Sequence, residues 1–130
     1  MRGSDCIFLV DDDEALINFL DEMIPLYGYT VKTSINGDGA LKLFQQDPKR
    51  IDLAVTDQTM PKLTGDKLAV QLLAIRPELS IILTTGFSEL IDEVKVDEIS
   101  IQHFLMKPFT SNTLLAKIQD LLPENTAKVY

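Results

Sequence analysis

The sequence is poor in the residues on which several classes of protein depend. Its 130 residues include one cysteine, one histidine and no tryptophan, and 12 basic against 20 acidic residues give a formal net charge of −8. A single Cys6 excludes an internal disulfide and a multi-cysteine zinc site and is typical of a reducing compartment, so we expect a cytoplasmic protein. Catalysis by a Ser-His or Cys-His pair would have only His103 to use. The acidic balance, with no basic cluster, predicts no contact with nucleic acid.

Long apolar stretches are also missing. Uninterrupted apolar runs extend for only a few residues, far short of the roughly 20 that a membrane-spanning helix needs, so we expect no membrane association. The first four residues lead into Asp5 without an apolar core, which argues against a signal peptide. We expect one domain over residues 6–122, preceded by an extension over 1–5 and followed by a tail over 123–130.

Short β-rich apolar runs alternate with helical patterns along the chain. The runs predict five strands, at 6–10, 29–33, 51–56, 80–85 and 101–106. A helical pattern follows each strand, including an acidic one over 88–98 and a last one over 110–122. Strands that alternate with helices pair in parallel through right-handed crossovers, so we predict an α/β fold with a doubly wound five-stranded sheet. In such sheets ligands bind outside the carboxyl ends of the strands.

Chemically active side chains follow four of the predicted strands. They are Asp11 and Asp12 after the first, Asp57 after the third, Thr85 after the fourth and Lys107 after the fifth. Carboxylates that converge raise one another's pKa, and a hard divalent cation such as Mg²⁺ relieves the repulsion. With an ammonium and a hydroxyl beside them, they could hold a tetrahedral oxyanion next to a metal. Such a set suits phosphoryl transfer onto a carboxylate.

The motifs at these strand ends resemble those of response-regulator receiver domains. The resemblance rests on LVDDD at 9–13, LAVTDQTMP at 53–61 with Gly65, TG at 85–86 and MKPF at 106–109, in this order, and covers about residues 6 to 122. It implies a flavodoxin-like (βα)5 fold with strand order 2-1-3-4-5. It also implies a role in a two-component phosphorelay, in which the domain catalyses its own phosphorylation by a histidine kinase phosphohistidine or a small phosphodonor.

The resemblance assigns roles in metal binding and phosphoryl transfer. Asp57 resembles the phosphoacceptor, Asp12 the direct ligand of Mg²⁺ or Mn²⁺, and Asp11 the acidic partner that holds the metal through water. The backbone carbonyl of Thr59 would complete the protein ligands of the metal, together with Asp57. Lys107 resembles the residue that binds the phosphoryl oxygens.

A second group of roles concerns the switch. Thr85 resembles the hydroxyl that binds the phosphoryl group, and Phe104 resembles an aromatic switch residue. The Lys107-Pro108 peptide is usually cis in the family. The resemblance further implies two kinds of partner: a histidine kinase or phosphotransfer domain, and a downstream protein that binds the face made by residues 88–122.

Several alternatives stay open at the level of residues. The three successive aspartates could form a capping turn, and we assign that role to Asp13 alone. Thr84 competes with Thr85 for the hydroxyl role, because adjacent strand residues point to opposite faces. Phe104 could be an ordinary core residue.

Three other functions compete with a phosphoacceptor domain. A receiver-like adapter would bind partners without phosphoryl turnover. An aspartyl-phosphate phosphatase usually has a second aspartate two residues after the nucleophile, where this chain has Thr59. A flavin-binding domain of the same topology would have its phosphate opposed by three acidic residues.

Overall fold

A computed structural model describes residues 5–86 and 103–122. The described strands are β1 (Cys6–Val10), β2 (Thr30–Ser34), β3 (Leu53–Asp57), β4 (Ser80–Thr85) and β5 (His103–Met106). The described helices are α1 (Glu14–Met23), α2 (Gly37–Gln46), α3 (Gly65–Ile75) and α4 (Ser111–Leu121), with short 3₁₀ turns at Ile24–Tyr27 and Pro48–Arg50. The acidic helix predicted over 88–98 lies outside the described residues.

The strands form one parallel sheet in the order β2-β1-β3-β4-β5. The prediction of a doubly wound, flavodoxin-like sheet is therefore confirmed. Alternate residues of β1 enter two separate hydrophobic layers: Phe8 packs with α2 and α3, and the next residue, Leu9, packs with α1 and α4. Because both faces of the strand are covered, its sequence is continuously apolar rather than alternating.

The predicted strand and helix limits need small corrections. The second strand begins one residue later than predicted, and the third begins at Leu53 rather than at Ile51. Ile51 is buried, which explains why it resembles a strand residue, but its carbonyl accepts a hydrogen bond from the Arg76 guanidinium instead of a neighbouring strand. The first helix ends at Met23, two residues before Pro25, and Gly28 ends the following turn with a φ of 94°.

The topology sets the carboxyl ends of β1 and β3 side by side. These strands are hydrogen-bonded neighbours, with Val10 opposite Thr56, although α1 leaves β1 on one face of the sheet and α3 leaves β3 on the other. A cleft forms where the chain departs in opposite directions from adjacent strands. In the described part of the chain, no helix combines the length and apolar content that crossing a membrane requires.

Candidate functional site

Three carboxylates meet at the carboxyl ends of β1 and β3. Asp11 follows β1, and Asp57 is the last residue of β3. Both are 5% exposed, whereas Asp12 is exposed to solvent. One carboxylate oxygen from each of the three lies within 4.8 Å of the others. The sequence prediction that distant acidic residues converge here is confirmed.

Lys107 contacts two of these carboxylates. Its Nζ lies 2.8 Å from Asp11 Oδ2 and 3.4 Å from Asp57 Oδ1. The backbone N–H of Lys107 donates to the carbonyl of Thr85 at 2.7 Å, which fixes the end of β5 to the end of β4. The Lys107-Pro108 peptide is cis, as the resemblance implies.

Burial and charge shift the pKa values of this group. Burial, followed by the charge of Asp11, raises the pKa of Asp57 to about 6, and Lys107 offsets only part of the increase. Burial alone would lower the pKa of Lys107, but its hydrogen bond with Asp11 and the charges of Asp11 and Asp57 outweigh burial and raise it. Lys107 is therefore a cation at neutral pH, and it contacts two of the three carboxylates. The group keeps an excess of negative charge.

The donor atoms of the group fit a hard divalent cation. Three carboxylates from Asp11, Asp12 and Asp57 supply oxygen ligands only, which suits Mg²⁺ or Mn²⁺ and does not suit softer metals. The three carboxylates and the Lys107 ammonium together carry two excess negative charges. A single divalent cation would neutralise them. Thr59 is exposed in the connection that follows β3, two residues after Asp57.

Asp13 has the separate capping role that its position predicts. Its carboxylate accepts a hydrogen bond from the N–H of Leu16 at 3.2 Å and so caps α1. Its own N–H donates to Asp11 Oδ1 at 2.9 Å. Asp11 therefore has one oxygen directed at the α1 cap and the other at Lys107.

The two adjacent threonines at the end of β4 face different layers. Thr84 lines a cavity of about 10 Å³ together with Leu9, Ile17 and Val55, which belong to the α1 and α4 layer. Thr85 is two residues beyond Leu83, which packs in the α2 and α3 layer, so its side chain is on that opposite face. Phe104 is paired with Leu83 and packs against the same layer. Thr85 and Phe104 therefore share a face of the sheet.

Replacing Thr84 with valine is expected to stabilise the fold. The Thr84 hydroxyl is buried and has no hydrogen-bond partner among the described residues, so an isosteric methyl group removes a desolvation penalty. We expect the free energy of unfolding in urea to rise by about 1 kcal/mol. Thr56→Val is the matched control, because the buried Thr56 hydroxyl donates to the Asp57 carbonyl at 3.3 Å and its loss should destabilise. A destabilised Thr84→Val variant would contradict this interpretation.

A groove opens beside Lys107 on the solvent side. It has a volume of about 400 Å³ and lies between the start of α1 and the connection from β5 to α4, where Asp13, Leu16 and Phe109 line it. The sequence did not single out this groove, because its lining comes from two distant segments. Of the residues that form the site, Lys107 lines this groove.

Gln58 and Asp66 are site-adjacent residues that the sequence analysis missed. They lie eight residues apart and are joined by two hydrogen bonds. An aspartate in the first turn of a helix is usually interpreted as a favourable charge at the helix N-terminus. The one feature of the sequence that hints at this pair is the polar residue Gln58, which directly follows Asp57.

Comparison with known proteins gives consistent matches. A family model described as a response regulator receiver domain matches residues 7–119. The probable transcriptional regulator ycf27 of Cyanidium caldarium is 34% identical over 116 residues, which make up 89% of this chain and 45% of that protein. The alkaline phosphatase synthesis transcriptional regulatory protein PhoP of Bacillus subtilis is 30% identical over 89% of this chain and 48% of its own length. The chain thus spans about half the length of these curated relatives.

Solved structures have the same fold. A CheY-like response regulator receiver domain protein from Methanospirillum hungatei superposes with a TM-score of 0.84 at 25% identity, over 97% of this chain and 99% of the other. A receiver domain protein from Clostridium thermocellum gives a TM-score of 0.86 at 24% identity, over 95% and 98% of the two chains. The second likeness concerns the fold alone.

Proposed function

This chain belongs to the response regulator receiver domain family, and from that premise we propose that it accepts a phosphoryl group on Asp57 within a two-component phosphorelay. The observation that carries the proposal is the contact of one ammonium, that of Lys107, with carboxylates from two separate strand ends. A pairing of this kind holds a nucleophilic carboxylate and a positive charge around one point. Both are needed when phosphorus with its negative oxygens approaches.

The proposed reaction is an in-line displacement at phosphorus. A carboxylate oxygen of Asp57 forms the new O–P bond while the P–N bond of a phosphohistidine, or the P–O bond of acetyl phosphate, breaks. The leaving imidazole or acetate keeps the electron pair of the broken bond. No general base is required, because the attacking carboxylate carries no proton once the pH exceeds its pKa of about 6.

Each neighbouring residue has a part in this proposal. Lys107 binds a phosphoryl oxygen, and the Thr85 hydroxyl donates a hydrogen bond to another. Asp11, Asp12, Asp57 and the Thr59 carbonyl would hold Mg²⁺ or Mn²⁺, which would supply neutralisation of charge on the phosphoryl oxygens. Positioning and charge neutralisation supply most of the rate in such a reaction.

The phosphodonor and the downstream partner use different surfaces in this proposal. The groove beside Lys107 admits a phosphohistidine of a histidine kinase or phosphotransfer domain, or a small phosphodonor. Phosphorylation draws Thr85 towards the new group and so opens space behind β4. Phe104, which is half-buried in the same layer, then rotates inward to fill that space. The surface made by residues 88–122 then binds a downstream protein. A lone, buried Cys6 suits a cytoplasmic location for these events.

A receiver-like adapter without phosphoryl turnover is the less favoured alternative. An adapter has no use for two buried carboxylates, one of them with a raised pKa, around a single ammonium. Such an arrangement costs stability and is usually kept where it serves chemistry.

Intact-mass measurement after incubation with acetyl phosphate and Mg²⁺ tests the proposal. The protein should gain the mass of one phosphoryl group, and EDTA should prevent the gain. Asp57→Asn should gain none, whereas the control Asp38→Asn, at an exposed position in the first turn of α2, should gain the same mass as the unmodified protein. The proposal fails if the unmodified protein gains no mass or if Asp57→Asn gains as much.

A further inference from the structure

Gln58, the residue after Asp57, is tied to the start of α3 by three hydrogen bonds. Its carbonyl accepts from the N–H of Gly65 at 3.0 Å. Its side-chain Oε1 accepts from the N–H of Asp66 at 2.8 Å, and its Nε2 donates to Asp66 Oδ1 at 3.1 Å. These bonds close the six-residue loop that contains Thr59. We refer to the paired side chains of Gln58 and Asp66 as the clamp.

The clamp replaces an ordinary helix cap. The first N–H groups of a helix have no partner within it, and the residue before the helix usually supplies a side-chain acceptor. Here that residue is Thr64, whose side chain caps no N–H group of α3 and donates its hydroxyl to Asp66 Oδ1 at 2.6 Å instead. Gln58 supplies the missing acceptor from the other end of the loop. The start of α3 is therefore fixed to the end of β3.

The carboxylate of Asp66 is held as an anion in this arrangement. Burial would raise its pKa, but hydrogen bonds from the side chains of Thr64 and Gln58 and from the N–H of Lys67 outweigh burial and lower it. A charged acceptor strengthens each of these bonds. Gln58 is also held from the other side, because its N–H donates to the carbonyl of Thr84 at 2.9 Å.

We propose that the clamp positions the backbone carbonyl of Thr59 for a divalent cation, an inference that rests on the proposed function. Thr59 directly follows a residue whose N–H, C=O and side chain are all hydrogen-bonded, so the chain enters Thr59 from a fixed point. The clamp supplies the side-chain part of this restraint, and the Thr59 carbonyl lies one peptide beyond the fixed point. Gln58 and Asp66 act as positioning residues and do not touch the cation. When such residues around a metal site are removed, affinity commonly falls by roughly 10- to 100-fold.

The affinity of the full chain for Mn²⁺, measured by electron paramagnetic resonance, tests this role. Gln58→Ala removes both clamp bonds, and Gln58→Glu sets two carboxylates against each other. Each should weaken Mn²⁺ binding by about tenfold. In the double variant Gln58→Glu with Asp66→Asn, the amide at position 66 can donate a hydrogen bond to the carboxylate at position 58. This variant should recover most of the affinity for Mn²⁺. Gln71→Ala, an exposed position on the same helix, is the matched control and should bind Mn²⁺ as the unmodified protein does.

The outcomes separate this inference from the proposed function. If the unmodified protein binds no Mn²⁺ and gains no phosphoryl group, the proposed function fails and the inference fails with it. If the unmodified protein binds Mn²⁺ and Gln58→Ala binds it within twofold, the clamp only supports α3 and the inference alone is wrong. Should Gln58→Ala not fold, Asp66→Ala removes the acceptor of the Gln58 Nε2 bond, and unchanged Mn²⁺ binding by that variant would overturn the inference.

Discussion

Replacing Gly65 with alanine is expected to lower the free energy of unfolding by about 3 kcal/mol. A Cβ at this position would lie 2.2 Å from the carbonyl oxygen of Asp57 and 2.8 Å from Leu83 Cδ1. The Asp57 backbone cannot easily move away from this Cβ, because the next residue is hydrogen-bonded to both Thr84 and Gly65. The start of α3 must therefore move away from the site, and we expect phosphorylation of Asp57 to decline as well. Urea unfolding followed by circular dichroism measures the stability.

Gly39→Ala is the control for this effect. The added methyl group would meet the side chains of Asn36 at 3.0 Å and Ser34 at 3.2 Å rather than a fixed backbone carbonyl, and a shift of a few tenths of an ångström relieves these contacts. Asn36 Oδ1 also accepts from the N–H of Gly39, so this shift strains the cap of α2 slightly. The gain in helix propensity is about 1 kcal/mol and offsets the tighter contacts. We expect this variant to remain within about 1 kcal/mol of the unmodified protein. Equal stabilities for the two variants would show that the approach of Gly65 to Asp57 is not a constraint.

Asp57→Asn is expected to stabilise the folded protein above neutral pH while it removes the phosphoacceptor. The pKa of Asp57 is about 6 in the folded state against 3.8 as the ordinary value, so the folded protein binds the proton more tightly than the unfolded chain does. The stabilising effect of this group is therefore present in full below pH 4 and is lost as the pH rises through 6. Asparagine does not ionise, so only the unmodified protein loses this stability as the pH rises.

The difference in stability between the two proteins should depend on pH. We expect it to be small at pH 4 and to reach about 1–3 kcal/mol in favour of Asp57→Asn at pH 8, in EDTA. Mg²⁺ should narrow the difference, because a ligand of the folded state stabilises the protein that binds it. Asp38→Asn should show no such dependence. A difference that is the same at pH 4 and pH 8 would contradict the raised pKa.

The order of strands and the convergence of acidic residues were predictable because both depend on simple patterns. The predicted first and third strands end at Val10 and Thr56, and each is followed by an aspartate, so the parallel fold places Asp11 and Asp57 together. The sequence did not reveal that Lys107 pairs with Asp11 rather than with Asp12. That choice depends on which side chain turns inward after the strand ends.

Other features depend on paths that the sequence does not specify. Thr84 and Thr85 have the same side chain, and they differ only in the hydrophobic layer that each faces. Gln58 and Asp66 meet because a six-residue loop folds back, and no periodic pattern describes that loop. Burial and strand pairing give the same apolar signal, so the sequence predicts a strand at Ile51, although its carbonyl bonds to Arg76.

Both oxygens of the Asp11 carboxylate already have hydrogen-bond partners, so a bound cation would compete with Lys107 for Asp11. Its Oδ2 already accepts a hydrogen bond from Lys107, and its Oδ1 is occupied by the N–H of Asp13. A cation at Oδ2 would compete with the ammonium for the negative charge of this oxygen, and an ammonium held less tightly can turn towards an incoming anion. By thermodynamic reciprocity, an anion that captures the ammonium makes the same oxygen more available to a cation. Cation and anion should thus each tighten the other's binding.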